Sequence, residues 1–279
     1  MKAMILAAGL GTRLRPLTDA RPKALVELNG RTLLEITITR LAAFGVTEFI
    51  VNVHHHAQMV VDYLHSKKNF GFRIEISRED DQLLDTGGGL QKAAWFFQEN
   101  PSRLDEPFFL HNVDVISNID LSRMLQFHKQ NQALATLAVQ SRPSSRQLLF
   151  DEQLQLSGRR ISGHDSVILS AAKNPASISA PPATSGSLLS THHSPPPQSE
   201  EPSPLLPLAF SGIHVISPRL LLLLTESTPV FSVIDTYLRL ASQSQKILAF
   251  RHDSSYWRDL GKPSDLAQAS LDLQQNLPH

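Results

Sequence analysis

Apolar positions along this chain follow two alternating rhythms. Short β-type runs stand at 2–8 (KAMILAA), 48–53 (EFIVNV), 72–77 (FRIEIS), 107–115 (PFFLHNVDV) and 134–139 (LATLAV). Between them lie stretches whose apolar residues recur at helical spacing: 32–45, ending near Gly45, then 57–67, 89–99 and 121–131. Strand and helix alternating in this way predict crossover connections and a doubly wound, mostly parallel α/β sheet of Rossmann type. Ligands of such sheets sit beyond the carboxyl ends of the strands, which directs attention to the segments after Ala7, Val53 and Ser77 and around His111–Val115.

The rhythm breaks between about 164 and 207. Nine of the 18 prolines fall from Pro175 to Pro207, interleaved with Ser, Thr and Ala. A segment of that composition buries too little apolar surface to offset its ordering entropy, and it reads as a disordered insertion. A strand at 208–217 resumes the pattern. Helices around 218–225 and 233–243, a strand at 246–252, a turn and a last helix follow. We therefore expect one domain over residues 1–279, interrupted at 164–207.

Charge and composition narrow the chemistry. Lys plus Arg and Asp plus Glu both number 26, so no global field favours nucleic acid or an anionic membrane. The absence of cysteine excludes disulfides, zinc–thiolate sites and a thiol nucleophile. The longest leucine run, Leu220–Leu224, is far short of the ~20 residues of a membrane span. The apolar start is better used as a strand than as a signal peptide. A soluble, cytoplasmic protein is expected, and its oligomeric state is not legible.

Against this neutral background the segment from Met4 to Leu28 stands out. It leaves the first strand through Gly9 and Gly11 and carries Arg13, Arg15, Arg21 and Lys23, broken by Pro16 and Pro22. A Gly-rich turn after a strand can cradle phosphate with converging N–H groups. The P-loop string G-x-x-x-x-G-K-[ST] is absent, and the third glycine of G-x-G-x-x-G is replaced by Leu14, which disfavours a dinucleotide site. The whole string, Leu6-Ala7-Ala8-Gly9-Leu10-Gly11-Thr12-Arg13-Leu14-Arg15-Pro16-Leu17-Thr18 with Pro22-Lys23, resembles the opening motif of the sugar-1-phosphate nucleotidyltransferases. The resemblance implies a nucleoside triphosphate over Leu6, Ala8, Gly9, Gly11 and Thr12. It places Arg13 on the departing phosphates and Lys23 near the α-phosphate, as the catalytic cations. Physical need agrees: two anions must be joined, and fixed cations stabilise the charge of the transition state without reorganising.

Asp114 and Asp259 each follow an apolar strand, and each alone is more readily a turn or capping aspartate than a metal ligand. In the family, an N-x-D element and a W-x-D-x-G element carry the two metal ligands. Asn112-Val113-Asp114 and Trp257-Arg258-Asp259-Leu260-Gly261 match them, which implies Mg²⁺ on Asp114 and Asp259 and contact of Asn112 with the acceptor. The relatives usually have glycine where Val113 stands. If that glycine serves a positive φ or a close approach, valine brings strain.

Asp85-Thr86-Gly87-Gly88-Gly89 precedes a helix, and three glycines can leave a cleft wall without side chains. The family resemblance places Asp85 and Gly87 with the nucleotide and Gly88 with the sugar. The strand Phe210–Val215 matches an F-S-G-I-x-V element whose Ser211 and Gly212 line the sugar pocket. These elements are most similar to the branch of N-acetylmuramate-1-phosphate uridylyltransferases and mannose-1-phosphate guanylyltransferase-like proteins, over 1–160 and 208–273. The implied reaction joins an NTP to a sugar 1-phosphate, giving an NDP-sugar and pyrophosphate. UTP with N-acetylmuramate 1-phosphate or a similar hexose 1-phosphate is favoured. Mannose-1-phosphate guanylyl transfer, phosphocholine cytidylyl transfer and a non-catalytic NDP-sugar-binding subunit stay open. The residue that meets the sugar phosphate is not placed; Arg159, Arg160 and Lys173 are weak candidates. The three consecutive histidines His54–His56 point different ways and read as loop residues.

Overall fold

The computed structural model describes residues 1–103, 105–162, 167–169 and 204–274. In chain order the strands are β1 (Lys2–Leu6), β2 (Glu27–Leu28), β3 (Arg31–Thr32), β4 (Glu48–Val53), β5 (Arg73–Arg78), β6 (Phe108–Asn112) and β7 (Val115–Ser117). They continue as β8 (Ala135–Gln140), β9 (Arg146–Phe150), β10 (Leu156–Ile161), β11 (Val167–Leu169), β12 (Leu206–Ile216), β13 (Ile247–Arg251) and β14 (Trp257–Asp259). The helices are α1 (Leu33–Ala43), α2 (Ala57–Ser66), α3 (Asp85–Lys92), α4 (Ala94–Gln98), α5 (Leu121–Gln130), α6 (Val233–Ser242) and α7 (Pro263–Gln274).

Ten strands form one mixed sheet in the order β11-β10-β9-β12-β6-β1-β4-β5, with β8 pairing β12 and β13. The β6-β1-β4-β5 portion is parallel, as the alternation of strand and helix predicts. β12 runs antiparallel to β6, β8 and β9. With β9, β10 and β11 its first residues form the smaller antiparallel region. Side chains along the central strands alternate between two cores, since successive residues of a strand face opposite ways. Ala3 and Ile5 of β1, with Phe49 and Val51 of β4, pack under α1, α2 and α5. Met4, Ile50, Phe108 and Leu110 pack against α3, α4 and α6. Both faces are covered, so these strands read as continuous apolar runs.

Helix starts carry the expected chemistry. Thr32 accepts from the Glu35 N–H at 3.1 Å and Asp120 from the Arg123 N–H at 2.9 Å, each satisfying a donor that has no partner inside the helix. The run at 89–99 splits at Ala93 into α3 and α4, and α3 starts at Asp85, so the glycine triplet lies inside a helix. The segment 218–225 forms a 3₁₀ helix, Pro218–Leu223. Most of the expected 164–207 insertion lies outside the described residues. Within it, Val167–Leu169 and the start of β12 are strands. No helix among the described residues is long and apolar enough to cross a membrane.

Candidate active site

Topology gathers the candidate residues at one edge. β1, β4, β6 and β8 point their carboxyl ends the same way, and antiparallel β12 brings its Phe210–Gly212 segment to that edge. After β1, the Ala7 N–H donates to Asn52 Oδ1 at 2.7 Å, which ties the loop to β4. Gly11 is left-handed at φ +64°. A Cβ there would lie 2.9 Å from Thr18 Cγ2 and 3.3 Å from Lys23 Cβ, so the turn needs glycine twice over. The fully buried Leu14 anchors the 3₁₀ turn Thr12–Leu14, and Arg13 beside it stays exposed. Lys23 is buried at the start of the next 3₁₀ turn, where its Nζ ion-pairs with Asp114. Arg15 is paired with its neighbour Asp19 at 3.3 Å and is exposed.

The two aspartates meet because β7 and β14 pair antiparallel, with Asp259 opposite Val115. The Leu260 N–H also donates to the Asp114 carbonyl at 2.8 Å. Asp259 Oδ1 accepts from the Gly261 N–H at 2.7 Å and lies 3.9 Å from Arg13 Nη2. Burial, and then the charge of Asp114, push the Asp259 carboxyl above its ordinary range, against the pull of Lys23, the Gly261 N–H and Arg13. A buried Asp259 carboxyl raised in this way beside a second aspartate marks a site short of positive charge, which suits a divalent cation. Among the described residues no group of three or more His, Cys, Asp or Glu side chains is arranged to hold a metal. An ion here would take few protein oxygens and complete its shell with phosphate and water, in the manner of Mg²⁺. A Cβ on Gly261 would lie 2.5 Å from Arg13 Nη2, so that glycine makes room for the arginine. Val113 carries no positive φ. Its N–H donates to the Leu6 carbonyl at 3.1 Å and its side chain is buried in the core, so valine there brings no backbone strain.

A cleft of about 200 Å³ opens between these parts. Its floor is Leu6–Gly9 and Asn112–Asp114, with Lys23, Asn52, Leu83, Asp85 and Thr86 around it. The glycine triplet is a correction to the sequence reading. The N–H groups of Gly87 and Gly88 both donate to the Phe231 carbonyl, at 2.9 and 3.3 Å. A Cβ on Gly87 would strike the Phe231 ring, one on Gly88 the Pro229 carbonyl, and one on Gly89 Glu79 and Asn52. The glycines let segment 229–231 and the Asn52–Glu79 pair approach α3, and Gly87 and Gly88 do not line the cleft. Thr86 accepts from the Val233 N–H at 3.0 Å, and Asp85, at φ +60°, accepts from the Thr86 N–H at 2.6 Å.

Sequence reasoning missed Asn52 and Glu79. Asn52 donates to Glu79 Oε1 at 2.7 Å, both side chains buried, and Glu79 Oε2 accepts from the Leu84 N–H at 2.9 Å. The signal for Asn52 was a polar residue inside the apolar run EFIVNV. His54 braces the same loop through the Glu79 carbonyl at 2.5 Å. On the far side, Gly212 is left-handed at φ +74° in an irregular stretch of β12. A Cβ there would lie 2.9 Å from Asn112 Nδ2, which brings Ser211–Gly212 against Asn112. Ser211 is buried, bonded to His252 Nε2 at 2.8 Å and to Trp257 Nε1 through its carbonyl at 2.8 Å. The Arg142 guanidinium stacks on Trp257, 3.7 Å from the ring centroid.

Residues 2–148 match the family model described as nucleotidyl transferase. The chain belongs to that family. Among curated relatives, the chain is 46% identical over 116 residues to N-acetylmuramate alpha-1-phosphate uridylyltransferase of Caulobacter vibrioides, covering 41% of this chain and 46% of the relative. It is 37% identical over 140 residues to mannose-1-phosphate guanyltransferase of Gibberella zeae, covering 50% of this chain and 37% of the relative. The chain thus spans less than half the length of these relatives. Among solved structures, HddC of Yersinia pseudotuberculosis in complex with GMP-PN superposes with a TM-score of 0.66 at 17% identity, over 98% of this chain and 99% of the other. A putative glucose-1-phosphate thymidylyltransferase of Bacillus anthracis gives 0.71 at 16% identity, over 100% and 97%. At that identity the likeness concerns the fold, the Rossmann-like sheet of these nucleotidyltransferases.

Proposed function

We propose that the nucleotidyl transferase joins an NTP to a sugar 1-phosphate, releasing pyrophosphate, and that residues 1–279 form one catalytic unit around the 164–207 insertion. The observation that carries this reading is the juxtaposition of Lys23, Arg13, Asp114 and Asp259 beside a cleft floored by the loop after β1. The β1 loop holds the triphosphate, with Gly9, Gly11 and Thr12 offering backbone approach. Arg13 neutralises the departing pyrophosphate, for which a planar, permanently charged fork is suited. Lys23 gives the α-phosphate a compact cation, exchanging its ion pair with Asp114 for the substrate. Asp114 and Asp259 would hold Mg²⁺, which supplies charge neutralisation at the phosphates. Asp85 faces the nucleotide, while Asn112, Ser211 and Gly212 face the sugar. The acceptor phosphate is already ionised, so no protein nucleophile is required, and catalysis is positioning and charge stabilisation.

The higher identity to the uridylyltransferase favours UTP with N-acetylmuramate 1-phosphate or a similar hexose 1-phosphate, a cell-wall precursor reaction of the cytoplasm. The deciding experiment is pyrophosphate release from UTP, GTP, CTP and dTTP against several sugar 1-phosphates with Mg²⁺. Lys23→Ala and Asp114→Ala should each lower turnover by about two orders of magnitude or more. Near-wild-type rates in both would remove the mechanism. Tight nucleotide binding without pyrophosphate from any pair would point to a regulatory subunit instead.

A further inference from the structure

We propose that Arg142 binds the phosphate of the acceptor sugar 1-phosphate. This rests on the reaction proposed above and names the residue for its second anion.

The strand order supplies the direction. Across the carboxyl edge the sequence of strands is β1, β6, β12, β8. The triphosphate loop follows β1, Asp114 follows β6, Ser211–Gly212 belong to β12, and Arg142 lies two residues past β8. In-line transfer requires the attacking oxygen to arrive on the side of the α-phosphate away from the leaving pyrophosphate. With Arg13 and Lys23 on the β1 loop, the acceptor lies towards β12 and β8. Arg142 sits there, just past a strand two spacings, roughly 10 Å, from the strand that leads to Asp114.

Its surroundings show a cation held ready and left incomplete. Nη2 donates to the Phe210 carbonyl at 2.8 Å, and the guanidinium plane rests on Trp257. Trp257 is held in turn by its Nε1 bond to the Ser211 carbonyl. Trp257 and Asp259 are two apart on β14 and share a face, so the stacked guanidinium lies on the metal-ligand side of that strand. Arg142 Nε is buried without a hydrogen-bond partner, and Arg142 forms no ion pair with a carboxylate among the described residues. A half-buried guanidinium lacking an anion is costly to keep unless a ligand supplies one. Burial lowers its pKa and only the field of Asp259 opposes this, which marks the same deficit of negative charge. Arg159, one sequence candidate for this role, is already paired with Asp235 at 2.5 Å. Arg160 lies on β10, and Lys173 lies outside the described residues.

The test measures binding and turnover separately, for wild type, Arg142→Gln and Arg142→Lys. Calorimetry would use N-acetylmuramate 1-phosphate, mannose 1-phosphate, glucose 1-phosphate, the corresponding free sugars, and UTP and GTP. Loss of a bidentate phosphate contact predicts a roughly 10–100-fold weaker sugar 1-phosphate in Arg142→Gln. Nucleotide affinity should be unchanged, the weak binding of free sugars unaffected, and Arg142→Lys intermediate. The same split should appear as a raised KM for the acceptor alone. Unchanged acceptor affinity, equal weakening of nucleotide and acceptor, equal weakening of a free sugar and its phosphate, or no binding of any sugar 1-phosphate to wild type would each overturn the assignment. If wild type binds sugar 1-phosphates through Arg142 but releases no pyrophosphate with any nucleotide, the catalytic reading fails and the Arg142 assignment stands.

Discussion

Replacing Asn52 by aspartate isolates the buried contact that ties the loop after β1 to Glu79 and the segment after β5. The new side chain keeps the shape of Asn52 and the oxygen that accepts from the Ala7 N–H, but the donor to Glu79 Oε1 becomes a second carboxylate oxygen at a 2.7 Å contact. Both positions are almost fully buried, at 2% and 1% exposure. Two charges ~4 Å apart at an effective dielectric near 20 repel by about 4 kcal/mol. The alternative is that one carboxyl takes a proton, which restores the hydrogen bond. At pH 7 this costs about 3.7 kcal/mol, from 1.36 kcal/mol for each pH unit above an ordinary glutamate value of ~4.3. The two routes agree, so Asn52→Asp should lose about 4 kcal/mol at pH 7. The folded variant then holds a proton that the unfolded chain lacks, so its stability falls as pH rises. At pH 5 the protonation cost is only about 1 kcal/mol, and the penalty relative to wild type should shrink to that. Urea denaturation at both pH values measures it, and adding Glu79→Gln should restore stability at pH 7. A penalty below about 1 kcal/mol at pH 7, or one equal at both pH values, would refute the reasoning.

Gly88→Ala should destabilise the fold by about 1–2 kcal/mol by urea denaturation, because overpacking against the Pro229 carbonyl outweighs the gain in helix propensity. Gly261→Ala should instead leave the melting temperature near wild type while lowering turnover roughly 10–100-fold, since its Cβ displaces the side chains of Arg13 and Asp259. Burial lowers the pKa of His111 and His128 to about 4 and that of His214 to about 3. These residues charge in the unfolded chain first, so stability present above pH ~6.5 should be lost as pH falls towards 4. His128→Gln should remove up to about 3 kcal/mol of that loss in denaturation curves recorded across the window.

The parallel half of the sheet was legible because its inner strands β1, β4 and β6 are buried on both faces and its helices are amphipathic. The small antiparallel strands were not. β9 begins with Arg146 and Gln147 and leaves only Leu148–Phe150 as an apolar run, β10 carries Gly158, Arg159 and Arg160, and β14 is three residues long, held by pairing with β7. The cation loop could be located from local chain chemistry, because glycine, proline and charge fall close together there. The two aspartates could be paired only by resemblance, since the β7–β14 contact that joins them is a long-range event. Gly87 and Gly88 misled because a glycine beside a ligand and a glycine beneath another backbone look identical in sequence. Arg142 was invisible for the opposite reason. Nothing around it in the chain marks it, and its meaning comes from Trp257 and Phe210, supplied by strands formed far later.

The register of β8 has a consequence for how this chain is born. β8 lies inside the family match that ends at residue 148, yet its partners are β12 and β13. β6, the inner strand carrying the approach to Asp114, likewise has β12 on its second side. During synthesis the first 148 residues therefore emerge with one naked strand and one open sheet edge. Closure waits until residues 206–251 have left the ribosome and the whole 164–207 stretch has been translated. The most recognisable half of the molecule is a template that its less recognisable half completes.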